Sequence, residues 1–293
     1  MKNLRSEAKS IVVLGSRGFI GSHFVNHISK SSFNVLKFTS EQPLFTEQGD
    51  LTTDLHEPCD IFWFMSKINP IVAATNPKLI DEELKYFRLA LKSLRLENEN
   101  HRIIFPSSGG TIYGQSNTPC SEAHKIDPVN QYGHYKFAME EILRDSGLPH
   151  TVLRISNVFG PNQPISRGQG VIAEWMHSIK HGLALTLYGT DEISRDFIFV
   201  EDLITALAKC ISIKQEAATY NVGSGASSSL KQVLEILQGV TKIAFQVNNL
   251  PKRSIDRIAI ELDISLAKID LSWKPEYSLH EGIQKTWNSV LTK

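Results

Sequence analysis

Short apolar runs alternate with amphipathic segments along the first half of the chain. The run Ile11 to Leu14 is followed by apolar residues at helical spacing, Phe24, Val25 and Ile28, and then by a second run, Phe33 to Phe38. Consecutive apolar residues predict strands buried on both faces, as in a parallel sheet, and the helical spacing predicts a helix packed on that sheet. The chain therefore opens with a predicted β-α-β unit.

The same alternation continues to about residue 156. Further strands are predicted at Ile61 to Met65, Ile103 to Phe105 and Thr151 to Ile155. The helices between them are predicted from Val129 to Arg144 and around the apolar positions Ile80, Leu84, Phe87, Leu91 and Leu94. Strands that alternate with helices predict an α/β fold with a Rossmann-type, doubly wound parallel sheet.

Beyond Asn157 the pattern becomes less regular. A loop rich in glycine and proline precedes helical patterns at Val171 to His181, Val200 to Ile211 and Leu230 to Leu237. We therefore predict that residues 1–156 mainly form the Rossmann domain. Residues 157–293 are predicted to form mainly a smaller C-terminal substrate-binding lobe, with segments that return to the first domain.

Composition excludes several classes of function. The 31 basic and 31 acidic residues balance, so no net field is available to hold a nucleic acid or an anionic membrane, and neither is predicted as a partner. No apolar run approaches the roughly 20 residues of a membrane span, and the N-terminal segment has no signal-peptide pattern. Three cysteines without C-x-x-C spacing disfavour a zinc site and a disulfide framework, so we expect a soluble cytoplasmic protein without a metal.

A glycine-rich turn lies between the first predicted strand and helix. Glycines at this place let the backbone approach a pyrophosphate, and the helix N-terminus offers unpaired N–H groups, so we predict a dinucleotide site in preference to a simple tight turn. The predicted contacts are Gly15, Arg17, Gly18, Phe19, Ile20 and Gly21.

The end of the second strand leaves the choice between NAD and NADP open. The acidic residue that usually holds the adenosine ribose is replaced by Phe38-Thr39-Ser40, which makes Thr39 a candidate contact. Arg17 is a candidate partner for a 2′-phosphate, or else a solvated loop charge. Asp50 and Leu51 follow a third possible strand and are candidate contacts to adenine.

A tyrosine and a lysine, Tyr132 and Lys136, are four residues apart in a predicted helix and so lie on one face of it. A phenol must lose its proton to act as a base, and an ammonium group and a positive nicotinamide ring both lower its pKa. Lys136 is also predicted to bind the nicotinamide ribose. Tyr135 has Met139 at the corresponding position and is assigned to packing or substrate contact.

Together these segments resemble the extended short-chain dehydrogenase/reductase family, in particular its sugar-nucleotide epimerases, dehydratases and 4-keto-reductases. The resemblance covers most of the chain and includes the glycine turn, the Tyr132–Lys136 pair and four further segments: Ser107 to Gly114, Leu153 to Pro161, Tyr188 to Asp191 and Arg195 to Asp202. It implies that the protein forms a homodimer.

The resemblance also implies a set of substrate contacts. Asn157 would contact the sugar nucleotide, Tyr188 lies in a matching segment, and Arg195 and Arg253 would bind its diphosphate. Two arginines suit this task because each presents a planar fork of donors. The alternative for both arginines is a surface ion pair with a neighbouring carboxylate.

One position departs from the family pattern. Gly109 stands where the family usually has its catalytic serine or threonine, so Ser108 is the preferred substitute and Thr111 the alternative. The segment also has no carboxylate of the kind that a dehydratase needs, which disfavours dehydration. We expect an NAD- or NADP-dependent sugar-nucleotide 4-epimerase. The alternatives are an NADPH-dependent 4-keto-6-deoxy sugar-nucleotide reductase and a dinucleotide-sensing protein with little catalysis.

Overall fold

The structure is a computed structural model that describes residues 10–114, 116–165, 170–189, 193–212, 216–251 and 259–292. Its strands are β1 (Ser10–Leu14), β2 (Asn34–Phe38), β3 (Cys59–Trp63), β4 (Arg102–Ser108), β5 (His150–Ile155), β6 (Asn157–Phe159), β7 (Leu185–Tyr188), β8 (Ser194–Phe199), β9 (Ala217–Val222), β10 (Ser227–Ser229) and β11 (Val247–Leu250).

The helices are α1 (Phe19–Ile28), α2 (Pro70–Thr75), α3 (Pro77–Glu97), α4 (Gly109–Ile112), α5 (Gln131–Asp145), α6 (Val171–Lys180), α7 (Val200–Cys210), α8 (Leu230–Thr241), α9 (Ser265–Asp270) and α10 (Leu279–Leu291). Among the described residues, none of these helices combines the length and apolar character that a bilayer span requires.

Six strands form the main sheet in the order β2-β1-β3-β4-β5-β9, and all of their pairings are parallel. Alternate residues of β1 face opposite layers: Ile11 and Val13 pack with α1 and α7, whereas Val12 and Leu14 pack with α3 and α5. Burial on both faces explains why the strands are continuous apolar runs. The predicted doubly wound α/β fold is confirmed.

The second half of the chain contributes β9 to the main sheet and builds two small sheets of its own. These have the orders β10-β8-β6 and β11-β7. The pairing of β6 with β8 begins at Asn157, immediately after β5, so the chain leaves the main sheet at the carboxyl end of β5. The domain division at residue 156 stays a prediction.

The prediction of a third strand before Asp50 is wrong. Asp50 and Leu51 lie in the loop between β2 and β3, where Leu51 forms only a single bridge with Phe45. Leu44, Phe45 and Leu55 of this loop are buried, and the Phe45 ring packs with its centre 5.7 Å from that of Trp63. The apolar residues of this segment therefore pack against the core without forming a strand.

Candidate functional site

A cleft of about 630 Å³ opens at the carboxyl ends of the central strands, between the main sheet and the second half of the chain. Open parallel sheets bind ligands at this edge. Many of the residues singled out in the sequence line it: Gly18, Phe19, Ile20, Gly21, Ser108, Thr111, Tyr132, Lys136, Asn157, Tyr188 and Arg195. Gly15, Arg17, Thr39, Asp50 and Leu51 are not among its lining residues.

The glycine turn brings the start of α1 to the cleft. Gly15 has φ +80°, and a Cβ there would lie 2.9 Å from the Met65 nitrogen. A Cβ on Gly21 would lie 2.2 Å from the Gly15 oxygen, so the turn closes this tightly only with glycines. Gly18 precedes the helix without a side-chain cap, which leaves first-turn N–H groups available to an anion. The turn therefore fits a dinucleotide pyrophosphate.

An acidic residue near the end of β2 was missed in the sequence. Glu41 accepts the hydroxyl hydrogen of Thr39 at 2.7 Å and pairs with Arg17 at 3.1 Å. The backbone turns between Thr39 and Gln42, which carries Glu41 back toward the glycine turn. A carboxylate is thus present beside this edge, three residues beyond the end of β2.

Tyr132 and Lys136 lie on one face of α5, as their spacing predicts, and both line the cleft. The side chain of Asn130 caps the helix by accepting the Gly133 N–H at 2.9 Å, which places Tyr132 in the first turn. Lys136 is buried, and its ammonium group donates to the Pro106 oxygen at 3.0 Å. The ammonium nitrogen lies 5.9 Å from the centre of the Tyr132 ring.

The expected fall in the pKa of Tyr132 does not occur in the protein alone. Burial raises the pKa of the Tyr132 phenol, and the charge of Glu83 raises it further. Burial also lowers the pKa of Lys136 to about 8, which the charges of Glu83 and Glu140 oppose. Desolvation disfavours the charged form of each group and is the largest effect on the pKa of both.

Two hydroxyl groups line the same cleft as this pair. Thr111 donates to the Ser108 hydroxyl oxygen at 2.9 Å, so the Ser108 proton is free to be donated elsewhere. A Cβ on Gly109 would lie 2.6 Å from Leu262 Cδ1 and 3.0 Å from the Arg154 carbonyl oxygen. Position 109 faces the protein interior, which explains why this chain has glycine there.

Behind Ser108, a buried polar network fixes the end of β4. Ser107 donates to Glu140 of α5, which accepts from Arg154 of β5 at 2.8 Å. Arg154 also donates to the Tyr113 hydroxyl at 3.0 Å. The sequence gave no signal for Glu140, because its partners Ser107 and Arg154 lie in two strands, β4 and β5, outside its own helix.

The opposite wall of the cleft carries the predicted substrate contacts. Asn157, Tyr188 and Arg195 line it together with Glu174 and Gln163, which the sequence did not indicate. Asn157 donates to the Asp196 carbonyl oxygen at 3.0 Å, which orients its amide. Arg253 lies outside the described residues.

Comparisons with known proteins agree with this geometry. Residues 11–223 match the model of the NAD dependent epimerase/dehydratase family. The chain is similar to the dTDP-4-dehydro-6-deoxyglucose reductase of Escherichia coli, with 28% identity over 97% of this chain and 98% of the relative. It is also similar to a putative UDP-glucose 4-epimerase of Methanocaldococcus jannaschii, with 27% identity over 95% of this chain and 97% of the relative.

Among solved structures, the chain is similar to the UDP-glucose 4-epimerase of Thermotoga maritima, solved with UDP-glucose. The TM-score is 0.84 at 25% identity, and the alignment covers 97% of this chain and 99% of that one.

Proposed function

The chain belongs to the NAD dependent epimerase/dehydratase family, and we propose that it epimerises a nucleoside-diphosphate hexose at C4 through a 4-keto intermediate. One observation carries this proposal. Tyr132 and Lys136 line the same cleft as Ser108 and the first turn of α1, so a base and a hydroxyl donor adjoin a site for a dinucleotide.

The residues of the glycine turn fit a nicotinamide dinucleotide. Its pyrophosphate would be held by the first turn of α1, after Gly18, and Lys136 would bind the ribose of the nicotinamide. When bound, the oxidised dinucleotide supplies a hydride acceptor and a positive charge that favours the Tyr132 phenolate.

The protein's own part in the reaction is to move one proton and to steady one oxygen. The C4 hydroxyl of the hexose loses its proton to the Tyr132 phenolate while the Ser108 hydroxyl donates a hydrogen bond to the same oxygen. With transfer of the C4 hydride to the bound dinucleotide, this would leave a 4-keto sugar. Tyr132 then returns the proton to that oxygen as hydride is restored to the other face of C4, which yields the epimer with no net oxidation.

The opposite wall suits the remainder of a sugar nucleotide. Arg195 would bind the diphosphate, and Asn157 and Tyr188 would contact the sugar nucleotide. Arg253 is a second proposed diphosphate ligand. Its role rests on the sequence resemblance alone.

A second candidate, NADPH-dependent reduction of a 4-keto-6-deoxy sugar nucleotide, is favoured by the similarity to the Escherichia coli reductase. It would use the same proton donor, Tyr132, but would consume the dinucleotide.

Product analysis separates the two candidates. Purified protein would be incubated with UDP-glucose and NAD, and separately with dTDP-4-dehydro-6-deoxyglucose and NADPH. A C4 epimer without net NADH supports the epimerase, whereas stoichiometric NADPH oxidation supports the reductase. If neither substrate nor related sugar nucleotides react, the proposed function is wrong.

We also propose that the protein acts as a homodimer in the cytoplasm. The family resemblance suggests pairing through α3 and α5, which pack against each other within the chain. A reducing compartment suits Cys59, Cys120 and Cys210, which are all free and buried. Light scattering on the eluting protein would give its mass, and a monomer would contradict the proposed pairing.

A further inference from the structure

A carboxylate lies behind the Tyr132–Lys136 pair. Glu83, partly buried on α3, accepts the Lys67 backbone N–H at 3.0 and 3.1 Å from its two oxygens. The preceding residue, Ser66, lines the cleft, and its hydroxyl oxygen lies 3.1 Å from that of Tyr135. The Tyr135 ring centre is 6.2 Å from that of Tyr132. The carboxylate, the two phenols and the ammonium therefore form one cluster where α3 meets α5.

We propose that Glu83 is a positioning residue that sets the proton affinity of the Tyr132–Lys136 pair, keeping Lys136 an ammonium and the Tyr132 phenol protonated until the ligands bind. Glu83 does not line the cleft, so it acts on the pair through its charge and not by touching substrate. This inference rests on the proposed roles of Tyr132 and Lys136.

The electrostatics of the cluster support this role. The charge of Glu83 raises the pKa of Tyr132, of Tyr135 and of Lys136. Lys136 is buried, where charges are screened less than at the surface. A nearby negative charge favours the ammonium and disfavours the phenolate, which are the two effects that the proposal requires.

Glu140 is the other charge that raises the pKa of Lys136, and it is already held in an ion pair. Glu140 of α5 is bound by Arg154 of β5, and Arg102 of β4 is bound by Asp60 at 2.8 Å. The segments α2 and α4 contain no titratable residue. Tyr86 on α3, Tyr135 on α5 and the exposed Lys67 are also titratable, and α3 and α5 carry further charged residues on their exposed faces, such as Lys85 and Glu141.

Replacement of Glu83 by glutamine tests the charge and leaves the hydrogen bond in place. The glutamine oxygen can still accept the Lys67 N–H, so the loop is retained while the negative charge is lost. Glu82→Gln is the matched control, because Glu82 is its exposed neighbour on α3 and pairs only loosely with Lys78, at 3.9 Å. Glu83→Asp keeps the charge, and Glu83→Asn repeats the neutral substitution should Glu83→Gln not fold.

The first measurement needs neither substrate nor dinucleotide. Nuclear magnetic resonance would follow the titration of isotope-labelled lysine side chains, with the Lys136 signal assigned by its loss in Lys136→Met. In Glu83→Gln, we expect Lys136 to titrate at lower pH than in wild type, with Glu82→Gln and Glu83→Asp unchanged. Equal titration of Lys136 in Glu83→Gln and Glu82→Gln would overturn the proposal.

The second measurement is the pH profile of kcat/KM. Loss of the Glu83 charge lowers the proton affinity of both groups, so both limbs of a bell-shaped profile should move to lower pH. If Glu83 had only a structural role, its replacement would lower kcat/KM at every pH without shifting the two limbs of the profile. That result would also overturn the proposal. Full activity in Tyr132→Phe would instead refute the proposed base, whatever the Lys136 titration shows.

Discussion

The guanidinium of Arg17, within the glycine turn, lies 3.1 Å from the carboxylate of Glu41, three residues beyond the end of β2. The Thr39 hydroxyl donates to the same carboxylate, and this bond, with a smaller contribution from Arg17, holds the pKa of Glu41 below its usual range. Glu41 thus offsets the charge of Arg17 beside the edge where this type of fold binds the adenosine ribose. The pair favours NAD, because a 2′-phosphate would have to compete with Glu41 for Arg17.

Substitution of Glu41 should therefore change the choice of dinucleotide. In Glu41→Gln, we expect the affinity for NADPH to rise relative to that for NADH, because Arg17 is then free to pair with a 2′-phosphate. Fluorescence titration with each reduced dinucleotide measures the ratio. Glu47→Gln, an exposed change in the same loop, should leave the ratio unchanged. An unaltered ratio in Glu41→Gln would show that Arg17 does not reach the dinucleotide.

The parts of the site that the sequence predicted are local ones. The glycine turn depends on residues within one β-α connection, and the Tyr132–Lys136 pair depends on the repeat of a single helix. The first five strands of the main sheet were predicted as well, because burial on both faces leaves uninterrupted apolar runs, whereas β9 and the strands of the two small sheets were not.

The missed residues act across long separations in the chain. Glu83 bonds to a backbone group 16 positions away, and Arg154 in strand β5 bonds to Glu140 in helix α5, 14 positions away. Glu41 was missed because it lies beyond the strand end, where an acidic residue was expected. A tight turn after Thr39 brings its side chain back toward the glycine turn. A glutamate at a partly buried helix position was the only available signal for Glu83, and such residues also occur where a helix merely meets solvent.

Ser108 and Thr111 should differ in importance. Thr111 donates to the Ser108 oxygen, so the Ser108 proton is available for the proposed hydrogen bond to the reacting oxygen. We expect Ser108→Ala to lower kcat about 100-fold, the order seen when a preorganised donor is removed. Thr111→Val should cost about tenfold or less, since it only orients Ser108. Steady-state kinetics on whichever of the two candidate sugar nucleotides the protein converts measures both losses, and a larger loss in Thr111→Val would reverse the assignment.

Breaking the buried ion pair behind the site should destabilise the protein. The side chains of Glu140 and Arg154 are only 1% and 6% exposed, and Ser107 also donates to Glu140. Glu140→Gln leaves the arginine charge buried without a counter-ion, so we expect a loss of about 3 kcal/mol in the free energy of unfolding. Urea denaturation measures it against the exposed neighbour Glu141→Gln. Similar stability in the two variants would mean that water or other groups compensate Arg154.

The buried ammonium of Lys136 should lower the free energy of unfolding of the protein. Its pKa falls from 10.5 to about 8 on folding because burial disfavours the ammonium. Between these pH values the unfolded chain binds more protons than the folded one, so this group contributes stability that rises with pH through that window. Below about pH 8 both states are protonated, and the full cost of burying the charge is present. At 1.36 kcal/mol per pKa unit, that cost is roughly 3 kcal/mol.

Lys136→Met should therefore unfold at higher urea concentration than wild type at pH 7 when no dinucleotide is present. The gain is reduced by about 1 kcal/mol through loss of the hydrogen bond to the Pro106 oxygen. Subtracting the two unfolding free energies at each pH removes the contributions of the buried cysteines, whose raised pKa values act in the opposite direction. The difference should shrink as pH rises from about 8 toward 10.5, and the variant should have lost its turnover. A variant less stable than wild type at pH 7 would show that the ammonium contributes more by its contacts than its burial costs.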